Sequence, residues 1–262
     1  MSLTKVRELS AQKLQGNYGI GVSLTLVVML TYLGVNLIGK IASMFLSTVM
    51  LDFNITKDFT LDDIVGAVVT LCLSLIMLSP LRLNIKRFYQ KIQGESLPAT
   101  VAFSYFSSLK QYLLALHFCV IRFIAVFLSF LLPMVPSIII AAILATAFDL
   151  GETAVGPAFG ALFILMVVLF AMGLVFSIYY IIGFFYTDYI YIKGIQRNPF
   201  KALALSRKTA KENRQSLFYA LITNLPYYLL CLCLVTIPFL VPKIRANFAV
   251  YTEEILWQFN HK

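Results

Sequence analysis

The sequence predicts an all-α integral membrane protein with about five transmembrane helices and several amphipathic helices at the membrane surface. Of the 262 residues, 60% are hydrophobic and only 13% are charged. A soluble domain is typically about 45–50% apolar and about 25% charged. The apolar residues also form long blocks separated by short polar segments, many of them basic. Long apolar blocks with basic connectors are typical of a multi-pass membrane protein.

The chain opens with an amphipathic segment over residues 1–17. Its apolar residues fall on one broad helical face, which favours a helix in the headgroup region of a membrane. These residues are Leu3, Val6, Leu9 and Leu14. Gly16-Asn17 predicts a break before the first apolar block. We expect no cleavable signal peptide, because the charged region is long and the apolar run after it has no small-x-small end.

Hydropathy predicts spans at about 19–39, 64–81, 113–147, 158–186 and 217–241, within a single membrane domain. The third apolar run, residues 111–148, would reach about 57 Å as a straight helix, against a hydrocarbon core of ~30 Å. Either its start lies at the interface, or the helix bends at Pro133 and Pro136.

Three polar side chains fall inside these runs and are candidate intramembrane sites. Lys40 is the only charge in the first run, and we expect it to extend toward the far interface, with an ion or substrate contact as the alternative. His117 and Arg122 are five residues apart, so they do not share one helical face.

The segment 188–216 is the most basic connector, with seven Lys and Arg residues against Asp188 and Glu212. Asn198 followed by Pro199 predicts a helix start, with an N-cap and then proline at the first position. Phe200, Leu203 and Ala204 are predicted to form the apolar face of this helix. The surrounding cations are candidate contacts for anionic lipid headgroups: Lys201, Arg207, Lys208, Lys211 and Arg214. A calmodulin-like or nucleic-acid contact would need the same charge pattern; we expect lipid and no nucleic acid.

Two further segments are predicted to lie along the membrane surface. In the basic segment 82–110, one helical face holds Ile85, Phe88, Tyr89 and Ile92. In the C-terminal tail, the surface residues would be Phe248, Tyr251, Ile255 and Trp257.

The charge distribution predicts which side of the membrane each connector faces. Segments 1–17, 82–110 and 187–216 hold 15 of the 21 Lys and Arg residues. Segments 52–63 and 149–157 hold six acidic residues and one basic residue. The positive-inside rule therefore places the first set in the cytoplasm. Five spans then put the N-terminus inside and the C-terminus outside the cell membrane.

The sequence gives little support to catalysis. It has no phosphate-binding Gly-Lys-Ser/Thr loop, no His-Glu-x-x-His and no Gly-x-Ser-x-Gly motif. The four cysteines lie in apolar runs and predict no disulfide framework. We therefore expect neither enzymatic activity nor a cofactor or metal. The expected partners are membrane lipids, with a protein partner or a second copy of the chain as further candidates.

Short motifs carry a family resemblance. One is Leu14, Gly16, Asn17 and Tyr18 after the basic opening; another is Asn198, Pro199, Ala202, Leu203 and Ser206; a third is Pro242, Phe248, Tyr251 and Leu256. The chain resembles a family of uncharacterised bacterial multi-pass membrane proteins, the domain of unknown function nine-seven-five. More distantly, it is similar to the membrane domain attached to some glycerophosphodiester phosphodiesterases. The resemblance implies a helical membrane architecture and supplies no catalytic residue.

Two functions fit this sequence. The favoured one is a non-catalytic accessory or scaffold protein of the cytoplasmic membrane. The alternative is a transporter or permease subunit for a small molecule or lipid, which the proline breaks and the charges Lys40 and Arg122 support in part.

Overall fold

A computed structural model describes residues 3–52, 59–92, 98–149 and 157–260, and all regular structure in these ranges is helical. The α-helices are α1 (Leu3–Leu14), α2 (Tyr18–Asp52), α3 (Phe59–Leu73), α4 (Ser79–Lys91), α5 (Leu109–Asp149), α6 (Pro157–Ile182), α7 (Thr187–Ile192), α8 (Pro199–Glu212), α9 (Arg214–Leu230) and α10 (Ile237–Asn260). A π-helix, Ser74–Leu78, joins α3 to α4, and 3₁₀ helices cover Ala99–Phe106 and Leu234–Thr236.

The structure confirms the predicted fold class, an all-α membrane protein. Within the described residues, four helical stretches are long and apolar enough to cross a membrane: Tyr18–Phe45, Ile64–Lys91, Leu109–Thr146 and Phe159–Ile192. They coincide with the first four predicted spans. At most 22% of each apolar window is buried within the chain, so most of their side chains are available to lipid.

The predicted span at 217–241 differs from the other four because it is not one helix. α9 ends at Leu230, and the chain turns through the 3₁₀ helix before α10 begins at Ile237. Pro238 has no N–H to donate to the carbonyl of residue 234, so a helix cannot continue normally through this point. In the first turn of α10, where Pro238 lies, a proline is well tolerated. α9 and α10 then pack on each other, with Asn247 Nδ2 donating to Asn224 Oδ1 at 2.9 Å.

Two compact units divide the chain. The first contains Met1–Val120 and Asn213–Lys262, and the second contains Ile121–Glu212.

The core of the first unit is built from elements that the sequence predicts as surface-lying. Ile85, Phe88, Tyr89 and Ile92 do share one face of α4, and all are at most 2% exposed. This face packs against Leu24 of α2 and against Ala246 and Ala249 of α10 rather than against a membrane. The predicted amphipathic pattern is therefore right, but the apolar surface covering it is protein.

The C-terminal helix takes part in the same core. Phe248, Tyr251 and Ile255 are at most 8% exposed, whereas Trp257 is 61% exposed. α10 packs along α1, and Lys13 Nζ pairs with Glu253 Oε2 at 2.5 Å. The prediction that the C-terminus lies on the opposite side from the N-terminus does not fit this contact, since α10 returns beside the first helix.

A close helix crossing joins α2 to α3. A Cβ on Gly39 would overlap the Thr70 hydroxyl, and a Cβ on Gly66 would lie 2.9 Å from Ser43 Cβ. Small residues four apart on both helices, Gly39 with Ser43 and Gly66 with Thr70, let the two backbones approach.

The second unit contains a similar crossing. A Cβ on Gly173 of α6 would lie 2.7 Å from the Pro133 carbonyl oxygen of α5. Ser177 donates a hydrogen bond to the Phe130 carbonyl at 3.0 Å. α5 remains one helix through both of its prolines, and α6 supplies the close contact at that point.

Candidate functional sites

The predicted cationic helix is present as α8, and its start is as expected. Asn198 Oδ1 accepts hydrogen bonds from the backbone N–H groups of Phe200 at 3.0 Å and Lys201 at 3.4 Å. These are two of the four N–H groups that a helix start leaves without partners. In the turn between α7 and α8, Gly194 adopts φ +72°. Ile195 N–H reaches the Ile190 carbonyl and Gly194 N–H reaches that of Tyr191, which is a Schellman end to α7.

The packed face of α8 differs from the predicted one. Phe200 is 67% exposed and Ala204 is also exposed. The buried face consists instead of Ala202, Leu203, Ser206, Thr209 and Ala210. The small side chains on this face allow close packing, and Ser206 Oγ donates to the Gly183 carbonyl at 2.9 Å. Hydrophobicity alone does not predict this packed face, because it is made mainly of alanine and hydroxyl residues.

The basic side chains of α8 lie outside its buried face. Lys201, Arg207, Lys208 and Lys211 are all exposed. The Arg207 guanidinium also lies over the Phe184 ring, 4.5 Å from its centroid, so this cation helps hold α8 to the turn after α6.

Arg214 does not belong to this group. α8 ends at Glu212, and Asn213 has the non-helical angles φ −118° and ψ 24°. Arg214 is the first residue of α9, is half-buried and lies in the first unit. A break of the helix at one residue therefore places Arg214 on α9 rather than on α8.

The three candidate intramembrane side chains lie on two helices, α2 and α5. Lys40 is exposed on α2, and His117 is exposed on α5. Lys40 lies 22 residues after the start of α2, about 33 Å along the axis, near the length of a hydrocarbon core of ~30 Å. This position fits the predicted extension toward the far interface.

Arg122 instead forms an ion pair that the sequence reading missed. Its Nε lies 3.0 Å from Asp188 Oδ1; the Asp188 side chain is 3% exposed and the Arg122 side chain 36%. Asp188 is the second residue of α7, where a carboxylate also interacts favourably with the helix N-terminus. The two residues are 66 positions apart, and only the packing of the second unit brings them together.

The first unit contains a buried polar chain that joins three helices. Ser10 of α1 donates to Asn247 Oδ1 of α10, and Asn247 Nδ2 donates to Asn224 of α9. All three side chains are at most 6% exposed. A signal for this chain exists in the sequence, since asparagine is rare in apolar helices and is usually satisfied when buried.

An open cleft of about 460 Å³ lies beside this chain. Its polar lining comes from the two ends of the sequence: Arg7, Ser10, Gln15, Tyr18, Tyr227, Lys243 and Asn247. Arg7 donates to the Thr223 carbonyl at 2.8 Å and lies 5.8 Å from the Tyr227 ring centroid. Lys243 Nζ lies 5.9 Å from the Tyr18 ring centroid. The cleft is therefore cationic and aromatic.

A second, apolar groove of about 730 Å³ lies next to the π-helix. Pro80 cannot donate to the carbonyl of Ile76, four residues earlier. The Tyr112 hydroxyl donates to that carbonyl instead, at 2.9 Å. The tyrosine thus supplies the hydrogen bond that the proline cannot donate.

No cluster of three or more His, Cys, Asp or Glu side chains suited to a metal ion occurs in the described part of the chain. The four cysteines carry free thiols.

Comparison of the chain with protein-family models, with curated proteins and with solved structures finds no match.

Proposed function

We propose that this chain is a non-catalytic accessory or scaffold protein of the cytoplasmic membrane, with its N-terminus in the cytoplasm, and that α8 holds anionic lipid headgroups. The supporting observation is the arrangement of α8. Its small-residue face is packed on the turn at Gly183, while Lys201, Lys208 and Lys211 are exposed. Because the helix is fixed by its packed face, its backbone needs little ordering on binding.

The position of α8 in the sequence supports a role at the membrane surface. It follows the fourth apolar stretch, which ends at Ile192, by a short turn. A helix leaving the hydrocarbon core at this point is expected to lie near the headgroups. There, each Lys or Arg contributes about 1 kcal/mol to attraction by an anionic surface, roughly a fivefold change in binding.

Replacing Lys201, Lys208 and Lys211 together by Gln tests the proposal. The full chain is placed in nanodiscs of anionic or zwitterionic lipid, and hydrogen exchange of the α8 amides is measured. Wild-type α8 should be better protected in anionic lipid, and the variant should lose this difference. The matched control replaces the same lysines by Arg, which keeps the charge. Equal protection of wild type and Gln variant in anionic lipid would contradict the proposal.

The orientation is tested by cysteine labelling. In a chain without its four native cysteines, a cysteine at position 208 should react only after the membrane is permeabilised. A cysteine at position 57, in the acidic connector and outside the described residues, should react from outside. Labelling of position 208 from outside intact cells would overturn the cytoplasmic assignment.

The motif residues that carry the family resemblance also have a structural use. Gly16 adopts φ +82° in the turn between α1 and α2. Asn17 is fully buried, and its carbonyl accepts the Gly21 N–H at 3.0 Å. We also propose that the chain belongs to the membrane-protein family that it resembles, on the strength of its motif residues.

The ion pair of the second unit favours one alternative, a transporter or permease subunit. Ionisable residues inside apolar helices mark substrate or ion pathways by default, and Arg122 and Asp188 both lie in candidate spans. Uptake or efflux by reconstituted vesicles that is lost on Arg122→Ala or Lys40→Ala would favour this function. Vesicles without any flux would exclude a carrier that acts alone.

A further inference from the structure

The cationic cleft of the first unit has no part in the function proposed for α8. Arg7 and Lys243 contribute two positive charges to its lining, and no acidic side chain of the described residues lines it. Two cations that share one concave surface without a carboxylate repel each other, and an anion between them would relieve that repulsion.

Both cations are positioned by contacts that leave hydrogen-bond donors available. Arg7 has five N–H donors and gives one hydrogen bond, to the Thr223 carbonyl, among the described residues. Its guanidinium is also held near the Tyr227 ring. Lys243 has three donors and lies over the Tyr18 ring. Each side chain therefore keeps donors for an arriving oxyanion without breaking these contacts.

The walls of the cleft are fixed before any ligand binds. The Tyr18 hydroxyl donates to the Phe239 carbonyl at 2.8 Å, which sets the ring under Lys243. On the other side, Ser10 and Asn247 belong to the buried polar chain that joins three helices. Preorganised donors lower the entropic cost of binding, so the cleft has the features of a built site.

We propose that this cleft binds a phosphate group carried by a small polar molecule. Guanidinium and ammonium groups are the usual protein partners of phosphate, the first through paired N–H donors and the second as a point charge. The volume of about 460 Å³ lies within the range of about 300–1,000 Å³ for small-molecule sites. It leaves space beside the phosphate for a polar group such as glycerol. The source of the phosphate is either a lipid headgroup or a soluble phosphorylated molecule.

Calorimetric titration of the full chain tests the proposal. In detergent, the protein is titrated with short-chain phosphatidic acid, with short-chain phosphatidylcholine and with glycerol 3-phosphate. The test variant carries Arg7→Gln and Lys243→Gln. A matched variant, Arg82→Gln with Lys91→Gln, removes the same charge from two exposed positions outside the cleft and outside α8. Loss of a charged hydrogen bond weakens binding about tenfold, so the cleft variant should bind the phosphate probe at least tenfold more weakly, and the matched variant should bind it like wild type.

The outcomes separate the sources and the alternatives. Binding of phosphatidic acid alone identifies a lipid headgroup, whereas equal binding of glycerol 3-phosphate identifies a soluble ligand. Phosphatidylcholine carries a compensating positive charge and should bind more weakly than phosphatidic acid. Equal affinity of wild type and cleft variant, or an equal loss in the matched variant, overturns the proposal. So does a wild type that binds neither phosphate probe more tightly than phosphatidylcholine.

A second pair of variants guards against a folding defect, because Arg7 also holds the Thr223 carbonyl. Lys243→Gln alone removes a cation that lies over the Tyr18 ring, and it should still weaken phosphate binding about tenfold. Lys243→Arg keeps the charge and should retain binding. If Lys243→Gln binds as tightly as Lys243→Arg, the charge at this position does not hold the ligand and the proposal fails.

Discussion

The ion pair between Arg122 and Asp188 makes an asymmetric prediction: Arg122→Gln should destabilise the protein more than Asp188→Asn. Both substitutions remove the same contact, a 3.0 Å approach of Nε to Oδ1. They differ in the charge that stays behind. Arg122→Gln leaves Asp188, whose side chain is 3% exposed, whereas Asp188→Asn leaves Arg122, whose side chain is 36% exposed.

The magnitude follows from the distance and the exposure. At an effective dielectric constant of about 20, two unit charges 3.0 Å apart attract by roughly 5–6 kcal/mol before desolvation is counted. Breaking a buried pair by removing one partner typically costs about 3–5 kcal/mol. We expect Arg122→Gln to fall in this range. Arg122 has a long side chain that can turn toward the headgroups once its partner is removed, whereas Asp188 is short and enclosed, so we expect a smaller loss of about 1–2 kcal/mol for Asp188→Asn.

Thermal unfolding in one detergent and at one scan rate measures the difference. A loss of 1 kcal/mol lowers Tm by about 2–4 °C for a protein of this size, so Arg122→Gln should lower Tm by about 6 °C or more. The double variant removes both charges and should be more stable than Arg122→Gln alone. Lys201→Gln, at an exposed position, is the control and should leave Tm within about 2 °C of the wild-type value. Equal losses for the two single variants, or a larger loss for Asp188→Asn, would refute the argument from exposure.

Three further substitutions test the helix contacts. Gly39→Ala should cost about 1–3 kcal/mol, because its methyl group would overlap the facing helix. Gly34→Ala meets open space, and its Tm should be unchanged or higher; matching losses in Tm for both would contradict the close crossing. Tyr112→Phe removes the hydrogen bond to the Ile76 carbonyl and should lower the free energy of unfolding by about 1 kcal/mol; an unchanged Tm would show that this bond adds nothing. Asn198→Ala should cost about 1 kcal/mol and speed amide exchange in the first turn of α8, whereas Asn198→Ser should preserve both. Slow exchange in the alanine variant would argue against the cap.

Local features of the chain were predictable because they depend on neighbouring residues. The N-cap at Asn198 and the break at Gly16 each need only a few consecutive residues, and the structure confirms both. The apolar face of α4 was likewise read from helical spacing, and its four residues are buried together. What spacing could not give is the identity of the covering surface, because lipid and an apolar protein helix select the same residues.

Contacts between distant segments were not predictable. Arg122 and Asp188 are far apart in sequence, as are the residues of the cleft, which come from the first 18 and the last 36 positions. The packed face of α8 was missed for another reason. Close approach of helices is favoured by small residues, and a hydrophobicity pattern gives these little weight.

The sequence by itself determined that this is a helical membrane protein and where its apolar stretches lie, because a ~30 Å apolar solvent demands about twenty consecutive apolar residues whatever the fold. Only the tertiary structure decided that the two ends of the chain pack together, that a predicted fifth span turns back on itself, and that a buried carboxylate meets Arg122. Those outcomes depend on shape and on pairing across many residues, and no local pattern in the chain records either.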